Sequence, residues 1–168
     1  MVWKTHSIGS FVVSKKGLII YHTDWGAIPQ KTKTVLEGRG YAIQMTDDGS
    51  QGLTYLQSLS NTLAKGDYAV VYFACHGGHH RQWGDTAKGP ALTHDWQPNT
   101  GGFTLGNAAT LFEALGNKGV NLTVIDGSCN AGETVYNAIG QKYCAVSSTG
   151  MYSPAGSGGP DPSDAIQK

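Results

Sequence analysis

The chain has 168 residues, equal numbers of acidic and basic side chains, and a charged fraction of only 14%. This length fits one compact domain with a hydrophobic core and leaves no room for a second domain of ordinary size. A neutral chain with few charges is poorly suited to binding the phosphate backbone of nucleic acids or the surface of acidic membranes. Its longest apolar stretch, residues 68–75, is too short to cross a bilayer. We therefore expect one globular domain without nucleic-acid or membrane partners.

The cysteine content bears on the compartment. The three cysteines form no CxxC pair and are odd in number, which argues against a disulfide framework or a zinc knuckle. The first ten residues, MVWKTHSIGS, lack the apolar region of a secretory signal peptide. We expect a cytoplasmic location, where a reactive thiol stays reduced.

Short apolar, partly β-branched runs alternate with helical patterns along most of the chain. The predicted strands are residues 17–21, 41–45, 68–75, 121–126 and 143–147, with a candidate extra strand at 11–13. The predicted helices are residues 31–37, 53–64, 108–115 and 131–139. This alternation predicts an α/β fold, a three-layer sandwich in which helices cover both faces of a mostly parallel sheet.

Two segments depart from this alternation. Residues 77–106 have no helical periodicity, and a loop of this length inside a compact domain is usually functional. Residues 151–168 are rich in Gly, Pro and Ser, which predicts a flexible tail or processing linker. The folded domain is therefore expected to span residues 1–150.

Two predicted strands end in residues that carry chemistry. His76 and Gly77 follow the strand YAVVYFAC, and Cys129 follows the strand NLTVID after a two-residue turn. The carboxyl ends of parallel strands meet at one edge of the sheet. A cysteine near a helix N-terminus is favoured as the thiolate, and a neighbouring imidazole activates it further. The pair predicts a cysteine nucleophile served by a histidine base.

The same two blocks resemble those of a known group of enzymes. Cys129 lies 53 residues after His76, close to the separation of roughly 50 residues in caspases. YFACHGG and VIDGSCNAG resemble the His-Gly and (Asp/Ala)-x-Cys-x-x-Gly blocks of the caspase-like cysteine peptidases, and most nearly those of metacaspase-like and bacterial members related to clostripain, gingipain and legumain, although Gly127 stands where the family block has its acid. The resemblance implies a caspase-like topology and a cysteine endopeptidase acting on protein or peptide substrates.

Catalytic roles follow from the resemblance. It makes Cys129 the nucleophile and His76 the general base and acid of an acyl-enzyme mechanism. The backbone N–H groups of Gly77 and Cys129 would form the oxyanion hole, because fixed donors at strand ends need no reorganisation as negative charge develops.

Substrate-binding residues are assigned in the same way. Asp24, in the loop after the first strand, and Asp126 are candidate pocket acids that would select Lys or Arg before the scissile bond. For Asp126 a purely structural role at the strand end is an equal alternative. Ser147 and Ser148 correspond to positions that line the substrate cleft through their backbone.

The family pattern extends past the last predicted strand of this chain. It includes a sixth strand after residues 143–147, which the Gly/Pro/Ser-rich residues 151–168 do not supply. We expect that strand to come from a small C-terminal fragment or a partner. Self-processing after Lys168 and a minimal family member are both open alternatives.

No organic cofactor and no metal site are predicted. The Asp47-Asp48 pair has a counterpart in calcium-dependent metacaspases, so Ca²⁺ activation is an open alternative, although helix capping accounts for these residues without a metal. Ser128 lacks the G-x-S-x-G elbow of serine hydrolases. The main alternative to a peptidase is a non-catalytic caspase-like scaffold or regulatory module.

Overall fold

The computed structural model describes residues 12–79 and 94–149 of the chain. Its strands are, in chain order, β1 (Lys15–Tyr21), β2 (Ala42–Thr46), β3 (Tyr68–Ala74), β4 (His76–His79), β5 (His94–Gln97), β6 (Phe103–Thr104), β7 (Asn121–Asp126) and β8 (Cys144–Ser147). Its helices are α1 (Ile28–Gly38), α2 (Gly49–Thr62), α3 (Leu105–Asn117) and α4 (Gly132–Ala138).

The principal sheet has five strands in the order β2-β1-β3-β7-β8, and all neighbours are parallel. The predicted α/β class with a mostly parallel, helix-flanked sheet is therefore confirmed. Each predicted strand and helix of the alternation is present, with ends shifted by a few residues. Caspase-like topology stays a prediction.

The sheet buries a different apolar cluster on each face, as expected when helices cover both faces of a parallel sheet. On one face, Leu18 and Phe73 pack with α2 and α3 through Leu56 and Phe112. On the other face, Ile19 belongs to a smaller cluster that includes the first residue of α1. None of the helices in the described ranges is long and apolar enough to cross a membrane.

The order of the strands reverses between β1 and β3, which are neighbours in the sheet but lie on opposite sides of β2 in the chain. The N–H of His22, just after β1, donates to the carbonyl of Ala74 at the end of β3 at 2.9 Å. Ligands of open α/β sheets bind at such a switch point, outside the carboxyl ends of the strands. The loop after β1 and the residues after β3 therefore meet where a site is expected.

The region expected to be a long irregular loop is partly a second sheet. β4, β5 and β6 form a small antiparallel sheet immediately after β3. It is anchored by Trp96 of β5, which is fully buried and stacks on Phe73 with ring centroids 3.9 Å apart. The prediction missed these strands because they have only two to four residues and include glycines, so their period is hard to detect.

Some predictions fall on parts of the chain that the structure does not describe. The tail at residues 151–168 and residue 11 of the candidate extra strand lie outside the described residues. Val12 and Val13 are described and are not part of a strand.

Candidate active site

His76 is paired with a carboxylate from the neighbouring loop. It is the first residue of β4, and its Nε2 lies 2.8 Å from Oδ2 of Asp24 in the turn after β1. Both side chains reach solvent, with exposed fractions of 44% for His76 and 63% for Asp24. Asp24 was predicted as a substrate-pocket acid, and the structure brings it into contact with His76.

This contact sets the tautomer of the His76 ring. The hydrogen bond from His76 holds the pKa of the Asp24 carboxyl below its ordinary value, so Asp24 is ionised and can only accept. In the neutral form of the ring, Nε2 therefore carries the proton and the lone pair lies on Nδ1. A neutral histidine held in this way can accept a proton at Nδ1.

Two neighbouring residues complete the surroundings of His76. His22 caps the short turn at Thr23–Trp25, with its Nδ1 accepting from the N–H of Asp24 at 3.1 Å. The His22 and Trp25 rings approach the His76 ring edge-on, with centroids 4.6 Å and 4.9 Å away. The imidazole of His76 is therefore restrained by both rings as well as by Asp24.

The turn that carries Asp24 is tied down by Asn99. Oδ1 of Asn99 accepts from the N–H and the hydroxyl of Thr23, at 3.1 Å and 3.2 Å. Nδ2 of Asn99 donates to Oδ2 of Asp47 at 2.8 Å, which joins the loop after β1 to the loop after β2. Asn99 belongs to no motif, so sequence reasoning missed it.

Asp48 is the N-cap of α2. Its Oδ1 accepts from the N–H groups of Ser50 and Gln51 at 2.8 Å and 3.0 Å, and its Oδ2 accepts from the hydroxyl of Thr100. The capping interpretation of Asp48 is confirmed.

Cys129 lies in a turn that a single threonine holds on both sides. The hydroxyl of Thr149 donates to the carbonyl of Ser128 at 3.0 Å and accepts from the N–H of Ala131 at 2.9 Å. Within the turn, Asn130 adopts a left-handed φ of 58°, which asparagine tolerates better than most residues. Helix α4 begins only at Gly132, so Cys129 precedes the helix rather than lying in its first turn.

The histidine and cysteine blocks are in contact through Gly77. A Cβ built on Gly77 would lie 2.7 Å from the carbonyl oxygen of Cys129 and 2.6 Å from Oγ of Ser128. Only glycine permits this approach, because a Cβ would need one of the two backbones to move. The sequence prediction that these two blocks meet at one edge of the sheet is therefore reproduced in the structure. The oxyanion role of the Gly77 and Cys129 N–H groups stays a prediction.

Asp126 lies beneath this edge rather than at its surface. Its side chain is fully buried. Oδ1 accepts from the N–H and hydroxyl of Ser128 at 3.0 Å and 2.6 Å, and Oδ2 accepts from Trp96 Nε1 and Thr134 Oγ1 at 3.0 Å and 2.6 Å. The expectation that Asp126 lines a substrate pocket is corrected, because a buried carboxylate with four donors has no face left for a substrate.

Besides these four donors, Asp126 also contacts His94, the first residue of β5. Its Nε2 lies 3.3 Å from Asp126 Oδ2 and 3.1 Å from Ser128 Oγ, and its Nδ1 lies 3.0 Å from the carbonyl of Gly78. The Ser128 hydroxyl donates to Asp126, so the ring must donate through both nitrogens and is an imidazolium. His94 thereby ties β4, beside Gly77, to the residue before Cys129.

The pKa of His94 is consistent with that assignment. Burial alone lowers it, but the hydrogen bond and charge of Asp126, the charge of Glu133 and the Gly78 carbonyl act in the opposite direction and prevail. The net result is a pKa above the ordinary value of histidine.

Ser128, His94 and Asp126 include the residue types of a serine-hydrolase triad without its geometry. All three are fully buried, so no substrate reaches the Ser128 hydroxyl. Asp126 also faces the same ring nitrogen as Ser128, whereas a triad carboxylate orients the histidine through the opposite nitrogen. These residues support the site from below and do not form a second nucleophile.

The two serines predicted in the substrate cleft lie beside the Cys129 turn. The Ser147 hydroxyl donates to the carbonyl of Thr149 at 2.9 Å, and the Ser148 N–H donates to the carbonyl of Asp126 at 3.0 Å. Both residues are half-buried. Their contact with a substrate stays a prediction.

Comparison with known proteins bears on the fold alone. No protein-family model and no curated protein matches the chain. Among solved structures, it is similar to the crystal structure of protein GSU0716 from Geobacter sulfurreducens, with a TM-score of 0.52 and 18% identity. The match covers 70% of this chain and 51% of the other, so this chain spans about half the length of that neighbour. The likeness supports the α/β architecture described above.

Proposed function

We propose that the protein is a caspase-like cysteine endopeptidase in which Cys129 is the nucleophile and His76 the general base and acid. One observation carries the proposal. At the carboxyl ends of adjacent parallel strands, Gly77 packs directly on Cys129, while the preceding His76 is held by Asp24 in the tautomer that a base requires.

The proposed reaction moves a proton on and off Nδ1 of His76, while Nε2 keeps its hydrogen bond to Asp24. Nδ1 accepts the proton of the Cys129 thiol, and the sulfur attacks the carbonyl carbon of the scissile peptide. The N–H groups of Gly77 and Cys129 stabilise the oxyanion of the tetrahedral intermediate. His76 then donates its proton to the leaving amine, and the acyl-enzyme is hydrolysed by a water that His76 deprotonates. Asp24 stabilises the imidazolium during each transfer.

We further propose that the residue before the scissile bond is Lys or Arg. Because Asp126 is buried, this preference now rests on Asp24, whose ionised and largely exposed carboxylate can pair with a basic side chain. The Asp24 carboxylate would thus have two roles, because the same negative charge positions His76 and attracts the basic side chain of the substrate.

The direct test is hydrolysis of fluorogenic peptides with Arg, Lys, Asp or Asn before the cleaved bond. Cys129→Ala removes the proposed nucleophile, and Cys144→Ser is the matched control because Cys144 is an exposed thiol outside the site. We expect turnover after Arg and Lys that is absent in Cys129→Ala and unchanged in Cys144→Ser.

Two results would contradict this function. Equal turnover by Cys129→Ala would exclude Cys129 as the nucleophile. Absence of turnover on every peptide by a folded sample, with and without Ca²⁺, would favour the non-catalytic scaffold. Self-processing is tested separately by intact mass on longer chains that extend past Lys168, with and without Cys129→Ala. Identical processing of the two chains would exclude self-cleavage.

A further inference from the structure

A cluster of three metal-ligating side chains lies at the exposed end of the site. His22, Asp24 and His76 each offer a ligand atom, and these atoms all lie within 4.8 Å of one another. Neither His22 nor the trio as a group is signalled by the sequence motifs. We propose that this cluster binds a divalent transition-metal ion, with Zn²⁺ as the best fit, and that the bound ion switches His76 off.

The spacing of the ligand atoms suits zinc. Bonds of about 2.0–2.1 Å in a tetrahedral site place ligand atoms about 3.4 Å apart. Nδ1 of His22 already lies 3.4 Å from Oδ2 of Asp24. Nε2 of His76 lies 2.8 Å from the same oxygen, a distance set by a hydrogen bond that the ion would replace. These two separations are close to those of a tetrahedral site, and the ligand nitrogens of the two histidines lie no more than 4.8 Å apart.

The protonation of the ligands also favours binding. Nδ1 of His22 accepts a hydrogen bond from the N–H of Asp24, so it carries a lone pair rather than a proton. Oδ2 of Asp24 accepts the hydrogen bond of His76. The ion would replace the Asp24 N–H as the partner of the His22 lone pair, on a turn that Asn99 keeps in place.

The donor set decides which ion is bound. Two imidazoles with one carboxylate suit zinc and the later first-row metals, whereas calcium and magnesium take sites built from oxygen. All three side chains are partly exposed. Water can therefore supply a fourth ligand, which is the arrangement of an open three-ligand zinc site.

The inhibitory part of this inference rests on the proposed function. An ion on Nε2 of His76 displaces the proton from that nitrogen, and solvent returns a proton to Nδ1, so the ring stays neutral. A ring with Nε2 bound to metal and Nδ1 protonated has no lone pair for the Cys129 proton. Metal binding and base catalysis by His76 thus exclude each other.

The test is calorimetric titration of ZnCl₂ into the Cys129→Ala/Cys144→Ser variant, in which neither the nucleophile nor the exposed thiol competes for the ion. We expect one ion per chain at the cluster. Adding His22→Asn, which retains a capping side chain but removes the imidazole, weakens binding by about tenfold or more. Asp24→Asn has a similar effect, and Glu37→Gln, which alters an exposed carboxylate on α1, has none.

Two outcomes overturn the site: no binding in the parent variant, or equal affinity in His22→Asn, Asp24→Asn and the parent. A thermal melt of each variant confirms that a loss of binding is not a loss of fold. Trp25 gives a second readout, because the ion should change its fluorescence in the parent and a Trp25→Phe variant should lose that change. Since the titrated chain has no nucleophile, failure of the peptidase proposal and failure of the metal site are separate results.

Discussion

Two histidine–carboxylate pairs support the same edge of the sheet, and they differ in almost every physical respect. His76 and Asp24 are joined by one hydrogen bond, with exposed fractions of 44% and 63%. His94 and Asp126 are fully buried, and Asp126 accepts from four further donors. Residue type alone therefore does not indicate which pair is suited to proton transfer and which pair stabilises the fold.

The use of the ring nitrogens separates the two roles. Asp24 occupies only Nε2 of His76, which leaves Nδ1 to take up and release a proton. His94 is engaged at both nitrogens by Gly78, Ser128 and Asp126, so it cannot cycle between forms without breaking the network. The exposed pair is suited to proton transfer, and the buried pair is suited to holding Gly78 and Ser128 in place.

The largest expected effect comes from breaking the buried pair. Asp126→Ala leaves the His94 imidazolium buried without its counter-ion, which costs about 3–5 kcal/mol of unfolding free energy. Asp24→Ala removes an exposed group and should leave the unfolding midpoint near that of wild type. Urea denaturation of both variants checks this contrast. Equal midpoints would show that burial does not distinguish the two carboxylates.

A smaller loss is expected from adding one methyl group at the contact between the two blocks. Gly77→Ala places a Cβ against the Cys129 carbonyl, and such overpacking costs about 1–3 kcal/mol. Gly38→Ala is the matched control, since nothing lies within 4 Å of the Cβ there. We expect a lower thermal midpoint only for Gly77→Ala. If both variants melt like wild type, Gly77 and Cys129 are not packed as described.

Thr149→Val tests the turn that carries Cys129. The substitution keeps the shape but leaves the Ser128 carbonyl and the Ala131 N–H without their partner, at about 0.5–1.5 kcal/mol for each lost bond. Because small displacements of a nucleophile are costly, peptide turnover should fall about tenfold or more. Thr149→Ser retains the hydroxyl and should retain activity. Full activity in Thr149→Val would show that Thr149 does not position Cys129 for the reaction.

The smallest effect is a dependence of stability on pH. The pKa of His94 is raised in the folded chain, chiefly by Asp126 of β7 and Glu133 of α4 against the effect of burial. The stabilisation is therefore complete below the ordinary pKa of 6.5 and declines as pH rises through the folded value. Urea denaturation at several pH values should show this decline in wild type and a flatter profile in His94→Gln. Parallel profiles would exclude His94 as the source.

Much of the fold was predictable because its signals are local. The buried strands are continuous apolar runs, and their alternation with helical patterns predicts a parallel sheet. The same logic placed His76 and Cys129 at one edge, since parallel strands share their carboxyl ends. For Asp126, neither sequence position nor residue type indicates whether a strand-end carboxylate faces the core or the solvent, so two alternatives stayed open.

The residues that were missed act through long-range contacts. His94, Asn99 and Thr149 each bridge segments distant in the chain, and none belongs to a motif. In the structure the burial of β5 alternates, with His94 and Trp96 facing inward, but four residues of the sequence HDWQ are too few to show this period in advance. No comparable pattern marks Asn99 or Thr149, because a single side chain in a turn leaves no periodic trace.

The central claim is that His76 activates Cys129, and the most direct measurement is the relative alkylation rate of the cysteines. Iodoacetamide labelling followed by peptide mass spectrometry compares Cys129, which is half-buried, with Cys144, which is exposed, within one molecule. We predict that Cys129 reacts faster than Cys144 in wild type, and that His76→Ala slows Cys129 but leaves Cys144 unchanged. Faster labelling of Cys144, or a Cys129 rate that His76→Ala does not alter, would contradict the account.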